Sequence, residues 1–255
     1  MALTDSLVAY YKFETGALTT DSSGNGQTLT NQNSVAESAS GLIGYCADNG
    51  NTSNTKGFYR DSGGLTYTQL GTAWTINIWA KNNDTTVDTI VMRNSATNGS
   101  LERSFSFWIP QVATPRIMCS CFDGAGHDAV YNVTLTQGAW YMYSAVYNGT
   151  DLRLYLNGTQ VGTPLTFSWS GYARNTLHIL AIGTYKDTTG DTPYASLRGL
   201  YDECGMWSRA LSSTEITSLY RETQGNQFPF GSAFNNTLTP SARAGSGISV
   251  TERTM

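Results

Sequence analysis

The sequence predicts an all-β sandwich from its composition, its turn residues and its apolar pattern. Charged residues make up 13% of the 255 residues, about half the usual share of a soluble domain, whereas glycine and small polar residues are abundant. Apolar and polar residues alternate in several short windows that Gly or Asn separates. This pattern favours many short strands joined by polar turns. A chain of this length is long enough for one large domain of this kind.

Three windows place an aromatic ring on the side of the strand opposite to its apolar residues. Every second residue is apolar in residues 74–81, 104–109 and 152–156. Successive side chains of a strand point to opposite faces, so the apolar set is predicted to face the core. Trp79, Trp108 and Tyr155 are then predicted to face outward, and Arg153 accompanies Tyr155.

Turn and capping signals define the elements that follow. The dipeptides Asn148-Gly149 and Asn157-Gly158 lie at the two ends of one strand window and predict a meander of tight hairpins. The string Ser212-Ser-Thr-Glu215 predicts a capping box, in which the serine hydroxyl and the glutamate carboxylate each bind the other residue's backbone amide. Ile216 and Leu219 give the short helix after it one apolar side.

Four segments together resemble a known fold family. They are Leu7-Val-Ala-Tyr-Tyr-Lys-Phe-Glu14, Asp21-Ser-Ser-Gly-Asn-Gly26, Trp140-Tyr-Met-Tyr-Ser-Ala-Val-Tyr147 and Gly199-Leu-Tyr-Asp-Glu-Cys-Gly-Met-Trp-Ser-Arg-Ala-Leu-Ser212. They resemble strands of the laminin-G-like, concanavalin A-like lectin and glucanase domains. The resemblance implies an antiparallel jelly-roll sandwich over residues 1–225. It is a poor guide to activity, because such sandwiches serve as lectins, glycosidases, adhesion modules and structural parts.

The composition changes after Gly225. Residues 226–255 contain Pro229, Pro240 and many small polar residues, which predicts an extended C-terminal arm. This ending also resembles the terminal segments of some phage virion proteins. We therefore expect the arm to bind other virion proteins or sister subunits.

The outward-facing rings suggest a carbohydrate-binding groove. If their strands are neighbours, Trp79, Trp108 and Tyr155 line the concave surface on which relatives hold sugars, with Arg153 fixing hydroxyl groups. The alternative is that loops cover this face and the rings form a second small core, because large apolar patches rarely stay bare.

The resemblance also implies a calcium site, because many laminin-G-like domains bind Ca²⁺ through loop oxygens. Asp21 and Asn25 lie on a turn that is expected near Asp202, and their oxygen atoms suit calcium. The alternative is that Asp21 only caps its own turn.

Catalytic patterns are missing from the sequence. Glycosidases of this superfamily carry paired carboxylates as Glu-x-Asp-x-x-Glu, and this string does not occur. Asp202 and Glu203 are adjacent, so in a regular strand they point to opposite faces and do not form a catalytic pair. His127 and His178 have no metal-ligand spacing. We expect the protein not to be an enzyme.

Charge and cysteine content exclude further classes. The net charge of −4 gives no basic surface for nucleic acid. No apolar run reaches the length of a membrane span, and the first residues lack the features of a signal peptide, so we expect synthesis in the cytosol. Cys119 and Cys121 share one face of a strand, a poor geometry for a mutual disulfide. All four cysteines, with Cys46 and Cys204, are expected to be buried thiols.

Two functions follow from these expectations. The first is a non-enzymatic structural component of a phage particle, such as a capsid decoration or tail appendage protein, present in several copies on the virion and anchored by its arm. The alternative is a calcium-dependent carbohydrate-binding module or adhesin for cell-surface glycans.

Overall fold

The structure is a computed structural model of the chain. It describes residues 1–50, 55–60, 71–84, 89–96, 103–109, 115–122, 125–169, 178–184, 196–221 and 224–230. Most of the C-terminal arm, from residue 231 onward, lies outside the described residues.

The described residues form short strands and a helix near the C-terminus. The strands are β1 (Leu7–Tyr11), β2 (Thr30–Gln32), β3 (Ala36–Ser38), β4 (Cys46–Asp48), β5 (Gly57–Arg60), β6 (Trp74–Asn82), β7 (Thr89–Ala96), β8 (Arg103–Ile109), β9 (Arg116–Phe122), β10 (Gly126–Asn132), β11 (Trp140–Tyr147), β12 (Asp151–Leu156), β13 (Thr159–Thr166), β14 (His178–Ile182) and β15 (Gly199–Trp207). The helix α1 spans Ser213–Tyr220.

Within the described ranges these strands build two antiparallel sheets that pack face to face. Sheet A has the order β13-β12-β11-β6-β15-β4-β3, and β1 pairs with the last residues of β15. Sheet B has the order β10-β9-β8-β7-β14-β5-β2. Strands that are distant in sequence are neighbours in both sheets, as in a jelly roll. This architecture confirms the predicted fold class.

The main core lies between the sheets. It contains the apolar set of each window, including Ile76 from β6, Phe107 from β8 and Leu154 from β12. Trp74 of sheet A stacks on Phe105 of sheet B with ring centroids 5.6 Å apart, a contact that joins the two layers. The predicted alternation is therefore confirmed in all three windows.

The local signals in the second half of the chain are also confirmed. Asn157 and Gly158 both have positive φ, 51° and 77°, as a tight turn between β12 and β13 requires. The Ser212 hydroxyl accepts the backbone N–H of Glu215 at 3.3 Å, and the Glu215 carboxylate accepts the backbone N–H of Ser212 at 2.8 Å. This is the predicted capping box, and it starts α1 at the edge of the sandwich.

Two further expectations concern cysteines and membranes. All four cysteines are free and buried, as predicted. Every helix in the part of the chain that the structure describes is too short or too polar to cross a membrane.

Candidate functional site

The outer face of sheet A is covered by a second apolar cluster. Sheet A contributes Trp79, Tyr155 and Trp207 to this cluster, and α1 contributes Ile216 and Leu219. Trp79 is only 2% exposed and stacks on Tyr220 with ring centroids 5.5 Å apart and an interplanar angle of 12°. This face is therefore a second small core, which the sequence analysis gave as the alternative to a groove.

The prediction that these residues line one open groove is therefore wrong. Tyr155 is 4% exposed and lies in the same covered cluster as Trp79. Arg153 lies on the same strand and forms an ion pair with Asp151, with 2.7 Å between Nη2 and Oδ2. Trp108 lies on sheet B and cannot share a surface with these residues. Alternation predicted which side of each strand the rings occupy, but not which sheet.

A segment that we call the C-terminal strap, residues 226–230, completes the cover of sheet A. Phe228 and Phe230 pack against Tyr10, with ring centroids 5.9 and 5.2 Å away. Phe230 also contacts Trp207, at 6.1 Å. The strap therefore packs on the sandwich, although the sequence analysis placed it in the extended arm.

A β-bulge in β15 turns two neighbouring carboxylates toward this covered face. The pairing of β15 with β6 shifts register between Asp202 and Gly205, and Glu203 has a φ of 48°. Asp202 Oδ2 accepts the backbone N–H groups of Leu42 and Ile43 at 2.9 and 3.2 Å. Both carboxylates are almost fully enclosed, with 0% and 1% of each residue exposed.

Glu203 connects β1 to the strap. Its Oε2 accepts the phenol O–H of Tyr10 at 2.5 Å, and its Oε1 accepts the side-chain N–H of Gln227 at 2.7 Å. Gln227 also donates to Glu14 Oε1 at 3.0 Å. Tyr10 belongs to the outer cluster and Gln227 to the strap, so Glu203 lies on the same side of sheet A as Asp202. The expectation of opposite faces is wrong because the bulge interrupts the alternation.

Burial changes the titration of both groups. It raises the pKa of Glu203 to about 7, although the hydrogen bonds from Tyr10 and Gln227 oppose this rise. Burial, followed by the nearby charge of Glu203, raises the pKa of Asp202 well above its usual range. These carboxylates serve the packing of the sandwich and are not open to solvent.

The residues of the expected calcium site already bind other parts of the chain. Asp21 Oδ1 accepts the backbone N–H groups of Tyr10 and Ser23, both at 3.0 Å. Asn25 donates its amide to the Leu7 carbonyl at 2.8 Å, and Asp202 binds the loop described above. Within the described part of the chain, no group of three or more His, Cys, Asp and Glu side chains is arranged to hold a metal ion. The side chains of the expected site thus take part in hydrogen bonds within the chain, and calcium binding stays a prediction.

The outer face of sheet B has a different character. The strands β8, β9 and β10 are adjacent, and the residues opposite one another across them form two parallel rows. The apolar row is Trp108, Met118 and Val130. The polar row is Ser106, Ser120 and Asp128. The residues adjacent to the row members in sequence, such as Phe107 and Cys119, belong to the main core. The side chains of both rows therefore face outward.

Exposure increases along both rows toward the edge strand β10. Ser106 is fully buried, Ser120 is 7% exposed and Asp128 is exposed. Trp108 is partly exposed, and Val130 is 41% exposed, one of the few large apolar side chains with this exposure among the described residues. An apolar row beside a polar row can bind a ligand that has one apolar face and several hydroxyl groups. We call these six residues the sheet B patch.

The sequence analysis found only Trp108 of this patch. The alternation of β9 contained a signal for two more members, because Cys119 and Cys121 facing the core imply that Met118 and Ser120 face outward. The register that brings β8, β9 and β10 together was not readable from the sequence, since it depends on long-range pairing.

Comparison with known proteins agrees with this architecture. The model of the family described as the concanavalin A-like lectin/glucanases superfamily matches residues 51–217, more than half of the chain. The chain belongs to this superfamily. Comparison of the sequence with curated proteins gave no match.

Solved structures of the same fold include binding domains. Domain 4 of AbnA, a GH43 extracellular arabinanase from Geobacillus stearothermophilus in complex with arabinotriose, is 20% identical, with a TM-score of 0.62 over 83% of this chain and 97% of that domain. The binding domain of botulinum neurotoxin DC, in complex with rat synaptotagmin II, is 11% identical, with a TM-score of 0.64 over 87% of this chain and 52% of that one. The receptor binding domain of botulinum neurotoxin type G is 14% identical, with a TM-score of 0.59 over 85% and 51% of the two chains.

At these identities the likeness establishes the fold of this superfamily member and no more. This chain spans about half the length of the neurotoxin domains.

Replacement of Trp79 tests the covered face. We expect Trp79→Ala to lower the free energy of unfolding by about 3–5 kcal/mol, because it removes a buried ring from the cluster. Tyr45, which is 38% exposed, provides the control, and Tyr45→Ala should change the free energy by less than about 0.5 kcal/mol. Urea unfolding measures both. Equal stability of the two variants would contradict the second core.

The buried Glu203 predicts a pH dependence of stability. Because its pKa is raised to about 7 in the folded chain, the folded state holds more protons than the unfolded state between its ordinary pKa and pH 7. The free energy of unfolding therefore falls as pH rises through this window. Between pH 5 and pH 8, the free energy of unfolding should fall by about 2 kcal/mol less in Glu203→Gln than in the natural chain.

Urea unfolding at pH 5, 6.5 and 8 measures this dependence. Glu37→Gln is the control, because hydrogen bonds from Thr15 and Gly16 lower the pKa of this exposed carboxylate and it stays ionised throughout the range. An unchanged slope in Glu203→Gln would show that Glu203 is not the titrating group.

Proposed function

We propose that this chain is a non-catalytic lectin-like domain that binds glycans on the outer face of sheet B. The observation that carries this proposal is the sheet B patch, in which an apolar row with Trp108 runs beside a polar row that ends at Asp128. Sugar rings combine an apolar C–H face with hydroxyl edges, so they match two such rows. Trp108 supplies the aromatic platform, and Ser120 and Asp128 supply polar partners.

The state of sheet A supports the choice of sheet B. The rings of Trp79 and Tyr155 are buried in the cluster to which α1 and the strap contribute, so they offer no surface to a ligand. The acidic pair Asp202 and Glu203 is enclosed as well. Because this pair is enclosed, the described residues favour recognition at an exposed patch over hydrolysis by Asp202 and Glu203.

Domains of the same fold support glycans as the ligand class. The arabinanase domain described above was solved with arabinotriose. A further structure of the same fold, 13% identical with a TM-score of 0.57, concerns botulinum neurotoxin type C, whose cell entry is dependent upon interaction with two ganglioside molecules. We extend this ligand class to the present chain as part of the proposal.

Trp108→Ala tests this function on an array of uncharged and sialylated oligosaccharides, with arabinotriose among the uncharged ones. We expect the natural chain to bind at least one oligosaccharide and Trp108→Ala to bind it at least 10-fold more weakly, because the stacking platform is lost. Circular dichroism verifies that the variant is folded. The array is read with calcium and with a chelator, which also tests the predicted calcium dependence.

Tyr45→Ala is the matched control, because it removes an exposed aromatic ring far from the patch residues in sequence and outside β8, β9 and β10. It should bind as the natural chain does. If the natural chain binds no oligosaccharide, or if Trp108→Ala binds normally, the glycan-binding proposal is wrong.

A role as a structural virion component is our second candidate. The observation that favours it is the strap, whose aromatic contacts with Tyr10 and Trp207 fix the point from which residues 231–255 continue. An arm that starts from a fixed point can bind a larger assembly or a sister subunit. Many copies on one particle would also strengthen weak glycan binding by avidity.

Native mass and particle association test this role. The full chain is compared with a chain that ends at Phe230, which keeps the strap and its contacts. We expect the full chain to form oligomers or to associate with phage particles and the shortened chain to remain a folded monomer. Identical monomers in both cases would refute the anchoring role and leave the glycan-binding proposal intact.

A further inference from the structure

Within the described part of the chain, the hydroxyl group of Ser106 has no hydrogen-bond partner. Ser106 is fully buried, and its Oγ is one of the buried side-chain atoms without a partner among the described residues. Buried polar groups are nearly always paired, because an unpaired group loses its bonds to water without replacement. An exception therefore requires a physical explanation.

On the outer face of sheet A, a fully buried serine has a hydrogen-bond partner and can be compared with Ser106. Ser144 lies on the outer face of sheet A and is also fully buried. Its hydroxyl binds Asn77 Oδ1 at 2.7 Å. The covered face thus satisfies its buried hydroxyl with a neighbouring side chain, whereas the sheet B patch leaves the equivalent group of Ser106 unpaired.

Among the side chains that the structure describes, Ser106 is the innermost member of the polar row. Ser120 lies opposite Ser106 on β9, and Asp128 lies opposite Ser120 on β10. Neighbouring strands are about 4.8 Å apart, so the row is about 10 Å long. Trp108 lies two residues from Ser106 on the same face, so a ring stacked on Trp108 has an edge directed toward the polar row.

We infer that Ser106, Ser120 and Asp128 bind the hydroxyl groups of an uncharged oligosaccharide, and that the sugar supplies the hydrogen bond that Ser106 lacks. This inference rests on the proposed function and names its ligand class. Asp128 is the acidic member of the row, and its carboxylate accepts sugar hydroxyls but repels anionic sugars. Ser106 is fully buried in the unbound chain, so the inference requires the groups that cover it to move when the sugar binds, as is common at binding surfaces.

Ser106→Ala and Ser144→Ala form a matched pair that tests this inference. Ser106→Ala removes an unpaired hydroxyl, so the variant should melt at the same or a higher temperature and yet bind uncharged oligosaccharides at least 5-fold more weakly. Ser144→Ala breaks a paired hydrogen bond, so it should melt at a lower temperature and bind normally. The loss of affinity without loss of stability distinguishes a ligand contact from a structural role.

The probes are uncharged oligosaccharides, including arabinotriose, and sialylated ones, including 3′-sialyllactose. Asp128→Asn should increase binding of 3′-sialyllactose relative to the natural chain, because it removes the repelling charge. Unchanged affinity of Ser106→Ala, or tighter binding of sialylated than of uncharged sugars by the natural chain, overturns the inference. If either of these results is found but Trp108→Ala abolishes binding, the inference fails and the proposed function stands. If Trp108→Ala also binds normally, both fail.

Discussion

Every strand of this protein has two faces, and this constraint determines the rest of the structure. One face of each sheet is buried when the sheets pack, through contacts such as Trp74 on Phe105. The other face must be polar, be covered or meet a partner, because large bare apolar surfaces are unfavourable in water. The two sheets meet this requirement in different ways. Sheet A is covered by its own chain, and sheet B keeps a patch with an apolar and a polar row.

The cover of sheet A explains the unusual features of the C-terminal half. The capping box starts α1 where its apolar side meets Trp79, and the strap adds two phenylalanine rings above Tyr10. Covering this face also encloses Glu203 and raises its pKa through burial. The acidic pair therefore belongs to the packing of the sandwich, whereas the partly exposed apolar and polar rows lie on the opposite sheet.

The sequence predicted local features better than long-range ones. Alternation identified the core side of β6, β8 and β12, and the hairpin and capping signals identified the turns and the start of α1, because each depends on neighbours in the chain. It did not show that Trp79 and Trp108 belong to different sheets, since strand pairing joins distant segments. It also did not reveal the bulge at Glu203 or the docking of the strap, because both are stabilised by tertiary contacts.

The most direct test of this account is to locate the bound sugar by two-dimensional NMR of the ¹⁵N-labelled chain, titrated with arabinotriose and with 3′-sialyllactose. We expect the uncharged sugar to shift the amide signals of β8, β9 and β10 around Trp108 and Ser120, while the signals of β6, β12 and the strap stay in place. Shifts confined to the strands that carry Trp79 and Tyr155, or no shift with either sugar at millimolar concentration, would contradict the assignment of the binding surface to sheet B.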